Sequence, residues 1–177
     1  KVLILDCDNT LWGGFIAEDG IENLALGTDG KGQIYVDFQK RIVEIQKRGI
    51  LICLCSKNNY KDVKKVFDLH PFMILKNRDI TESKINWKPK YENILLLSKD
   101  LNLSTDSFVF WDDDPLEREK VKNFLPEVEV IEPPLEIEKW PKLLFENLSF
   151  SKIEMTTEDK NKHDQYKSRS EFIQRKK

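Results

Sequence analysis

The stretch ILDCDNTLWGG (Ile4–Gly14) joins the end of an apolar run to two aspartates that have one cysteine between them. The apolar run, Val2–Leu5, shows no polar alternation, which is typical of a strand covered on both faces. Open parallel sheets bind their ligands beyond the carboxyl ends of the strands. Asp6 and Asp8 are therefore candidates for a site at that edge, and Cys7 is either a packing residue or a second nucleophile.

The composition limits the class of protein. The chain has 177 residues, of which 40% are hydrophobic and 34% charged, enough for one sizeable α/β domain. The net charge of −2 gives no sign of broad nucleic-acid affinity, and no apolar run is long enough to span a membrane. Three cysteines and two histidines favour neither a disulfide framework nor a zinc site. We expect a cytoplasmic protein with no nucleic-acid or membrane partner, and interpret the chain as part of a longer polypeptide because it begins directly on a strand-like segment.

Strand-like and helical segments alternate along the chain. Apolar residues recur at helical spacing from Ile34 to Ile45 and again within 91–100. Further strands are predicted at GILICLCSKNN (49–59), FMIL (Phe72–Leu75), SFVFWDDDP (107–115) and VEVI (Val128–Ile131). This alternation predicts an α/β fold, a Rossmann-like parallel sheet with helices on both faces.

Two segments depart from the alternation. Residues 13–33 hold six of the seven glycines, and Asp19-Gly20 predicts a tight hairpin, so this insert is expected to form a small flap or cap after the first strand. Residues 156–177 are heavily charged and are interpreted as a charged helix or the start of a linker. The predicted organisation is a catalytic domain over residues 1–155, followed by this tail.

Three of the predicted strands end in polar residues that suit one reaction. These are Asp6 and Asp8 at the first strand, Ser56 and Lys57 at the second, and Asp112, Asp113 and Asp114 at the fourth. Carboxylates gathered in this way repel one another unless a cation neutralises them, and an oxygen-rich site suits Mg²⁺. A carboxylate nucleophile, a metal and a cationic clamp can together spread phosphoryl charge and align a displacement at phosphorus. Asp114 is better explained as the N-cap of a helix that begins at Pro115.

The series resembles the motifs of the haloacid dehalogenase (HAD) superfamily. Asp6-Cys7-Asp8-Asn9-Thr10 resembles the first motif, Ser56 the second, a lysine of NWKPKYEN the third, and Asp112-Asp113 the fourth. The resemblance implies that Asp6 attacks phosphorus and that Asp8 is the general acid/base, which also offers its backbone carbonyl to Mg²⁺. It further implies that Ser56 and the lysine hold phosphoryl oxygens. The implied metal ligands are Asp6, Asp8, Asp112 and Asp113.

A narrower resemblance, from Lys1 to about Tyr166, is to the FkbH-like glyceryl transferase/phosphatase domains of HAD subfamily IIIC. The motifs that carry it include LDCDNTLWGG, RGILICLCSKNN, NWKPKYENI and LNLSTDSFVFWDDDPLEREKV. This resemblance selects Lys90, rather than Lys88 or the more distant Lys84, as the motif lysine. The fourth motif reads Asp-Asp-Asp-Pro where Asp-Asp-Asn-Pro is more usual, and both residue types cap helices well.

The narrower resemblance implies a two-part reaction. A glyceryl unit is taken from 1,3-bisphosphoglycerate, dephosphorylated with Mg²⁺, and passed through an enzyme thioester to the phosphopantetheine thiol of an acyl carrier protein in polyketide-type biosynthesis. Cys7 is the first candidate for the acyl-carrying thiol and Cys55 the second, while Cys53 is interpreted as core. One alternative is a plain Mg²⁺-dependent HAD phosphatase with an aspartyl-phosphate intermediate, in which Cys7 only packs. A non-catalytic docking module within a synthase is the other.

Residues that flank these motifs are predicted to bind substrate. They are Thr10, Trp12, Gly13, Gly14, Lys57 and Asn58. Glycines permit a close approach between the backbone and a ligand, and Trp12 would wall the pocket. Arg118 and Lys120 are interpreted either as binders of phosphate or carrier protein, or as part of an exposed helix surface.

Overall fold

The computed structural model describes residues 1–151 and 157–175, and its centre is a parallel sheet. The strands are β1 (Val2–Leu5), β2 (Leu51–Ser56), β3 (Glu82–Ile85), β4 (Phe108–Trp111) and β5 (Glu129–Val130), in the spatial order β3-β2-β1-β4-β5. The central strand β1 pairs in parallel with β2 on one side and β4 on the other, with Ile4 opposite Cys53 and Phe110. The predicted α/β fold with a Rossmann-like parallel sheet is confirmed.

Helices connect and cover the strands. They are α1 (Ile16–Asp19), α2 (Gly30–Lys47), α3 (Tyr60–Leu69), α4 (Lys90–Leu101), α5 (Pro115–Phe124), α6 (Trp140–Glu146) and α7 (Thr157–Arg175). The side chain of Asn59 caps α3 by accepting from the Lys61 amide, and Asp114 caps α5 by accepting from the Leu116 amide. Both caps follow directly on polar strand ends, so each helix begins beside the carboxyl edge of the sheet.

The sheet is buried on both faces, and the side chains of β1 alternate between two apolar clusters. Leu3 and Leu5 pack in the cluster that holds the inner faces of α2, α3 and α6. Val2 and Ile4 pack in the cluster that holds the inner faces of α4 and α5. This arrangement explains why β1, β2 and β4 have continuous apolar sequences rather than alternating ones.

The prediction of a strand at Phe72–Leu75 is wrong, because the third strand is Glu82–Ile85. The apolar segment is instead a loop in which Met73 and Leu75 are buried and two backbone amides are bound by a side chain. Gln39 Oε1 accepts from the amides of Ile74 (2.9 Å) and Leu75 (3.0 Å), and Gln39 Nε2 donates to the Leu11 carbonyl (2.7 Å). A polar sequence suffices for β3 because it lies at the edge of the sheet.

The insert after β1 is a loop with short helices, and the hairpin predicted at Asp19-Gly20 is not formed. Helix α1 ends at Asp19, and Gly20 follows with φ of 70°. The Asp19 carboxylate accepts from the amide of Phe15 (2.8 Å), which stabilises this first helical turn. One antiparallel bridge between Gly13 and Ala25 closes the loop.

The charged tail contains helix α7, although the predicted boundary at residues 155 and 156 lies outside the described residues. Tyr166 packs against the apolar cluster under α4 and α5, and Lys167 Nζ donates to the Asn77 carbonyl (2.8 Å). In the part of the chain that the structure describes, no helix combines the length and the apolar character that a membrane crossing requires.

Candidate active site

An open cleft of about 540 Å³ lies at the carboxyl ends of the central strands. It is lined by Asp6, Asp8, Phe15, Ser56, Lys57, Lys90, Asp113, Asp114, Pro115 and Glu117. These residues come from the ends of β1, β2 and β4, from the insert, and from the first turns of α4 and α5. Parallel strands place their carboxyl ends at one edge, so segments that are far apart in sequence meet there.

Three carboxylates form an acidic cluster in this cleft. Asp6, Asp112 and Asp113 each contribute an oxygen, and the three oxygens lie within 4.8 Å of one another. Asp6 Oδ1 is buried and has no hydrogen-bond partner among the described residues. A buried, unpaired carboxylate oxygen beside two further carboxylates fits a hard divalent cation, which would supply the missing partner.

Lys90, the first residue of α4, neutralises part of this charge. Its Nζ lies 2.5 Å from Asp112 Oδ2 and 3.1 Å from Asp6 Oδ2, and its side chain is only 4% exposed. Lys88 is exposed, and Lys84 pairs with Asp100 at 2.6 Å. Of the three candidate motif lysines, the structure therefore places Lys90 at the site.

Burial and the charges of neighbouring groups shift the pKa values of the carboxyl groups and the lysine in the cluster. Burial raises the pKa of Asp112 to about 7, and the charge of Asp6 adds to this effect. The same two causes raise the pKa of Asp113 to about 6. Burial alone would lower the pKa of Lys90, but Asp6 and Asp112 outweigh it and the pKa is raised, so Lys90 stays cationic.

These shifts predict that the chain loses stability as pH rises in the absence of divalent cations. Asp112 and Asp113 hold their protons more tightly in the folded state than in the unfolded state, so the folded state binds more protons between about pH 4 and pH 7. The free energy of unfolding therefore falls across that range. We expect a lower Tm at pH 7.5 than at pH 5.5 in EDTA, measured by circular dichroism, and Asp112→Asn should reduce the difference. An equal Tm at both pH values would contradict the expectation.

Asp8 is not part of the acidic cluster, and its carboxylate is bound by residues of the segment after β1 and of the loop after β2. Its Oδ1 accepts from Trp12 Nε1 (2.8 Å) and from the Ile16 amide (3.1 Å), and its Oδ2 accepts from Asn58 Nδ2 (2.7 Å). Burial is the main cause that raises the pKa of Asp8. A carboxyl group whose pKa is raised and which lines the cleft is suited to proton transfer.

Most of the predicted substrate-binding residues do not line the cleft but contact the residues that do, or the loop after β1. Trp12 is fully buried and, like Asn58, donates to Asp8, while Thr10 Oγ1 donates to Asp113 Oδ1 (3.2 Å).

At Gly13, which bridges to Ala25, an added Cβ would lie 2.8 Å from the Cβ of Ala25. The Gly14 amide donates to Asn9 Oδ1 (2.8 Å). Of the six predicted residues, Lys57 lines the cleft.

The cysteines are free and fully buried. Cys7 belongs to the apolar cluster under α2 and α3, so its side chain packs in the core. Burial raises the pKa of the Cys7 thiol well above its usual range, the Asp6 charge adds to this, and the nearby Ser56 side chain offsets only part of it. Burial also raises the pKa values of Cys53 and Cys55, both in the opposite cluster. All three are therefore thiols at neutral pH.

Sequence reasoning missed two roles in the first turn of α5. Arg118 Nη1 donates to the carbonyls of Asp112 (2.9 Å) and Asp113 (2.8 Å), so this buried side chain holds the acidic loop rather than an external ligand. Glu117 accepts from Lys57 (2.8 Å) and Lys120 (2.9 Å). A glutamate is common at the third position of a helix that begins after an aspartate N-cap, so the sequence offered no separate signal that Glu117 binds Lys57.

The chain matches no protein-family model and no curated protein. It is similar to a solved structure, the N-terminal part of the protein BF1531 from Bacteroides fragilis, described as containing a phosphatase domain complexed with Mg. The two are 40% identical, with a TM-score of 0.79, and the match covers 82% of this chain and 40% of that one. The chain thus spans less than half the length of this neighbour. The similarity agrees with the HAD-type resemblance at the level of a phosphatase domain.

Proposed function

We propose that this chain is a Mg²⁺-dependent phosphatase domain that hydrolyses phosphate monoesters through an aspartyl-phosphate on Asp6. The observation that carries the proposal is the acidic cluster with its unpaired Asp6 Oδ1 and its buried lysine, in an open cleft. The Mg-bound phosphatase domain of the similar BF1531 structure supports both the metal and the reaction class.

The residues that would hold the metal are Asp6, Asp112 and Asp113, and the HAD resemblance adds the backbone carbonyl of Asp8. A bound Mg²⁺ would offset the negative charge shared by the cluster and the phosphoryl group. Thr10 and Arg118 orient this ligand set, through Asp113 Oδ1 and through the carbonyls of Asp112 and Asp113 respectively.

Each side chain of the cleft has a separate role in the proposed hydrolysis. The carboxylate of Asp6 attacks phosphorus, and the bond from phosphorus to the leaving oxygen breaks as Asp8 gives that oxygen a proton. Asp8, now a carboxylate, takes a proton from the water that attacks the aspartyl-phosphate and releases inorganic phosphate. Lys90 and the Ser56 hydroxyl stabilise the charge on the phosphoryl oxygens. Because Trp12, Ile16 and Asn58 hold Asp8, the segment after β1 and the loop after β2 together position the general acid.

A direct test is hydrolysis of p-nitrophenyl phosphate by the purified chain. We expect turnover with Mg²⁺, a loss of about 100-fold or more in EDTA because the acidic cluster loses its counter-charge, and recovery when Mg²⁺ is restored. The release of p-nitrophenolate measures the rate. Equal rates in EDTA and in Mg²⁺ would contradict metal dependence, and no hydrolysis of any phosphate ester in Mg²⁺ would contradict the proposed function.

Glyceryl transfer in the manner of the FkbH-like domains is a second candidate, favoured by the place of Cys7 in the chain between Asp6 and Asp8, two residues that line the cleft. In this reaction the Cys7 sulfur attacks the acyl carbon of 1,3-bisphosphoglycerate, phosphate leaves, and the thiol proton passes to a base. The resulting thioester would be dephosphorylated at Asp6 and passed to the phosphopantetheine thiol of an acyl carrier protein. Because Cys7 is fully buried, this candidate requires a rearrangement that exposes its sulfur.

Intact mass measurement after incubation with 1,3-bisphosphoglycerate and Mg²⁺ tests this second candidate. A thiol-linked glyceryl or phosphoglyceryl adduct that is absent from Cys7→Ala would support it. An adduct that persists in Cys7→Ala but not in Cys55→Ala would assign the role to Cys55. If the wild-type chain hydrolyses phosphate esters but forms no adduct, the chain is a phosphatase without the transfer step.

A further inference from the structure

The cleft holds a second lysine that the phosphatase chemistry leaves unused. Lys57 lines the cleft one residue beyond Ser56, and its side chain is 31% exposed. Its Nζ donates to Glu117 Oε1 at 2.8 Å, whereas Lys90 contacts Asp6 and Asp112. The two amines share no carboxylate partner, so the cleft presents two separate cationic positions.

Glu117 fixes the position of the second amine. Its side chain is 8% exposed, its Oε1 accepts from both Lys57 and Lys120, and its Oε2 is buried without a partner among the described residues. A buried carboxylate is costly unless cations compensate it, so Glu117 draws the Lys57 amine to the wall of the cleft. The ion pair joins the end of β2 to the first turn of α5, 60 residues away in sequence.

Charge and donor capacity indicate what Lys57 binds. An ammonium group has three N–H donors, and Glu117 accepts one of them, which leaves two for a ligand. The described residues that line the cleft include five carboxylates and two lysines, and Lys90 is already engaged by two aspartates. Lys57 is therefore the amine in this lining that has capacity for a second negatively charged group.

We infer that Lys57, positioned by Glu117, is a specificity-determining residue that selects phosphate esters whose leaving group carries a second anionic group, either a carboxylate or another phosphate. The inference rests on the proposed phosphatase function. The phosphoryl group to be cleaved occupies the position at Asp6, Ser56 and Lys90, and the second anion lies against the Lys57 amine. An ester with an uncharged leaving group lacks this contact.

A matched pair of esters tests the role. 3-Phosphoglycerate and glycerol 3-phosphate differ at the end remote from the phosphate, where one has a carboxylate and the other a hydroxymethyl group. We expect the wild-type chain with Mg²⁺ to have the lower KM for 3-phosphoglycerate. In Lys57→Gln the loss in kcat/KM should be about tenfold greater for 3-phosphoglycerate than for glycerol 3-phosphate and should come from KM, because a binding contact is removed. Propane-1,3-diol bisphosphate and its monophosphate form the second arm, which shows whether the preferred anion is a carboxylate or a phosphate.

Two further variants separate specificity from general effects. Lys57→Arg should restore part of the preference, because it keeps the positive charge. Lys61→Gln removes the same charge from an exposed position at the start of α3 and should leave the preference unchanged. Equal losses for all esters in Lys57→Gln, or a wild-type chain with no preference in either arm, would overturn the inference.

The experiment also distinguishes this inference from the proposed function. If the wild-type chain hydrolyses neither these esters nor p-nitrophenyl phosphate, the phosphatase proposal fails. Calorimetric titration of 3-phosphoglycerate and glycerol 3-phosphate into the wild-type chain and Lys57→Gln with Mg²⁺ then decides the inference. Tighter binding of 3-phosphoglycerate that is lost in Lys57→Gln supports it, and equal binding of the two ligands overturns it.

Discussion

Asp6→Asn is expected to reduce Mg²⁺-dependent hydrolysis of p-nitrophenyl phosphate by about 10⁴-fold or more, because an amide cannot attack phosphorus as a carboxylate does. The substitution preserves the shape of the side chain and removes one of three crowded negative charges, so the fold should be retained. Initial rates measure the loss, and circular dichroism checks the fold. Intact mass after rapid acid quench should show a phosphorylated species in the wild-type chain and none in the variant.

Asp37→Asn is the matched control, since this aspartate lies on the surface of α2 in an exposed ion pair with Lys40. Its rate should equal that of the wild-type chain. If Asp6→Asn kept more than about one hundredth of the wild-type rate while folded, Asp6 would not be the nucleophile. A phosphorylated species in that variant would point to another attacking residue.

Lys90→Met is expected to destabilise the metal-free chain by about 3–5 kcal/mol at pH 7.5, because it leaves Asp6 and Asp112 buried without their cation. Activity should also fall by about 100-fold or more, since the phosphoryl oxygens lose a positive charge. Urea denaturation in EDTA measures the stability loss, and added Mg²⁺ should recover part of it. The loss should be smaller at pH 5.5, where Asp112, whose pKa is raised to about 7, is protonated.

Two variants give this prediction its controls. Lys88→Met makes the same chemical change at an exposed position two residues earlier and should change neither stability nor rate appreciably. The double variant Lys90→Met/Asp6→Asn should recover much of the stability but none of the activity, because it removes one of the uncompensated charges. A metal-free Lys90→Met chain within about 1 kcal/mol of wild type would show that the buried ion pair contributes little.

Much of the fold and the centre of the site could be predicted from the sequence. Continuous apolar runs such as Val2–Leu5 indicate strands covered on both faces, and alternation with helices then requires parallel pairing. Because parallel pairing aligns the carboxyl ends, Asp6, Ser56 and Asp113 had to meet in one cleft. The chemistry of these residue types could therefore be derived before any distance was known.

Short segments were predicted less well, because several environments suit the same few residues. The apolar Phe72–Leu75 could be a strand or a loop, and the distant Gln39 side chain favours the loop by binding the amides of Ile74 and Leu75. Asp19-Gly20 could close a hairpin or end a helix, and the contact of Asp19 with the Phe15 amide favours the helix. Local sequence does not contain either contact.

The sequence by itself determined a parallel α/β sheet with an acidic edge, since hydrophobic pattern, strand direction and the residues that follow each strand suffice for that. Only the tertiary structure decided which side chains face the cleft. Cys7 follows the side-chain alternation of β1 into the apolar core, while Asp6 faces Lys90. The pairing of Lys57 with Glu117 depends on where the first turn of α5 lies relative to the end of β2. Such contacts join residues far apart in the chain, and their geometry is determined by helix packing rather than by local pattern.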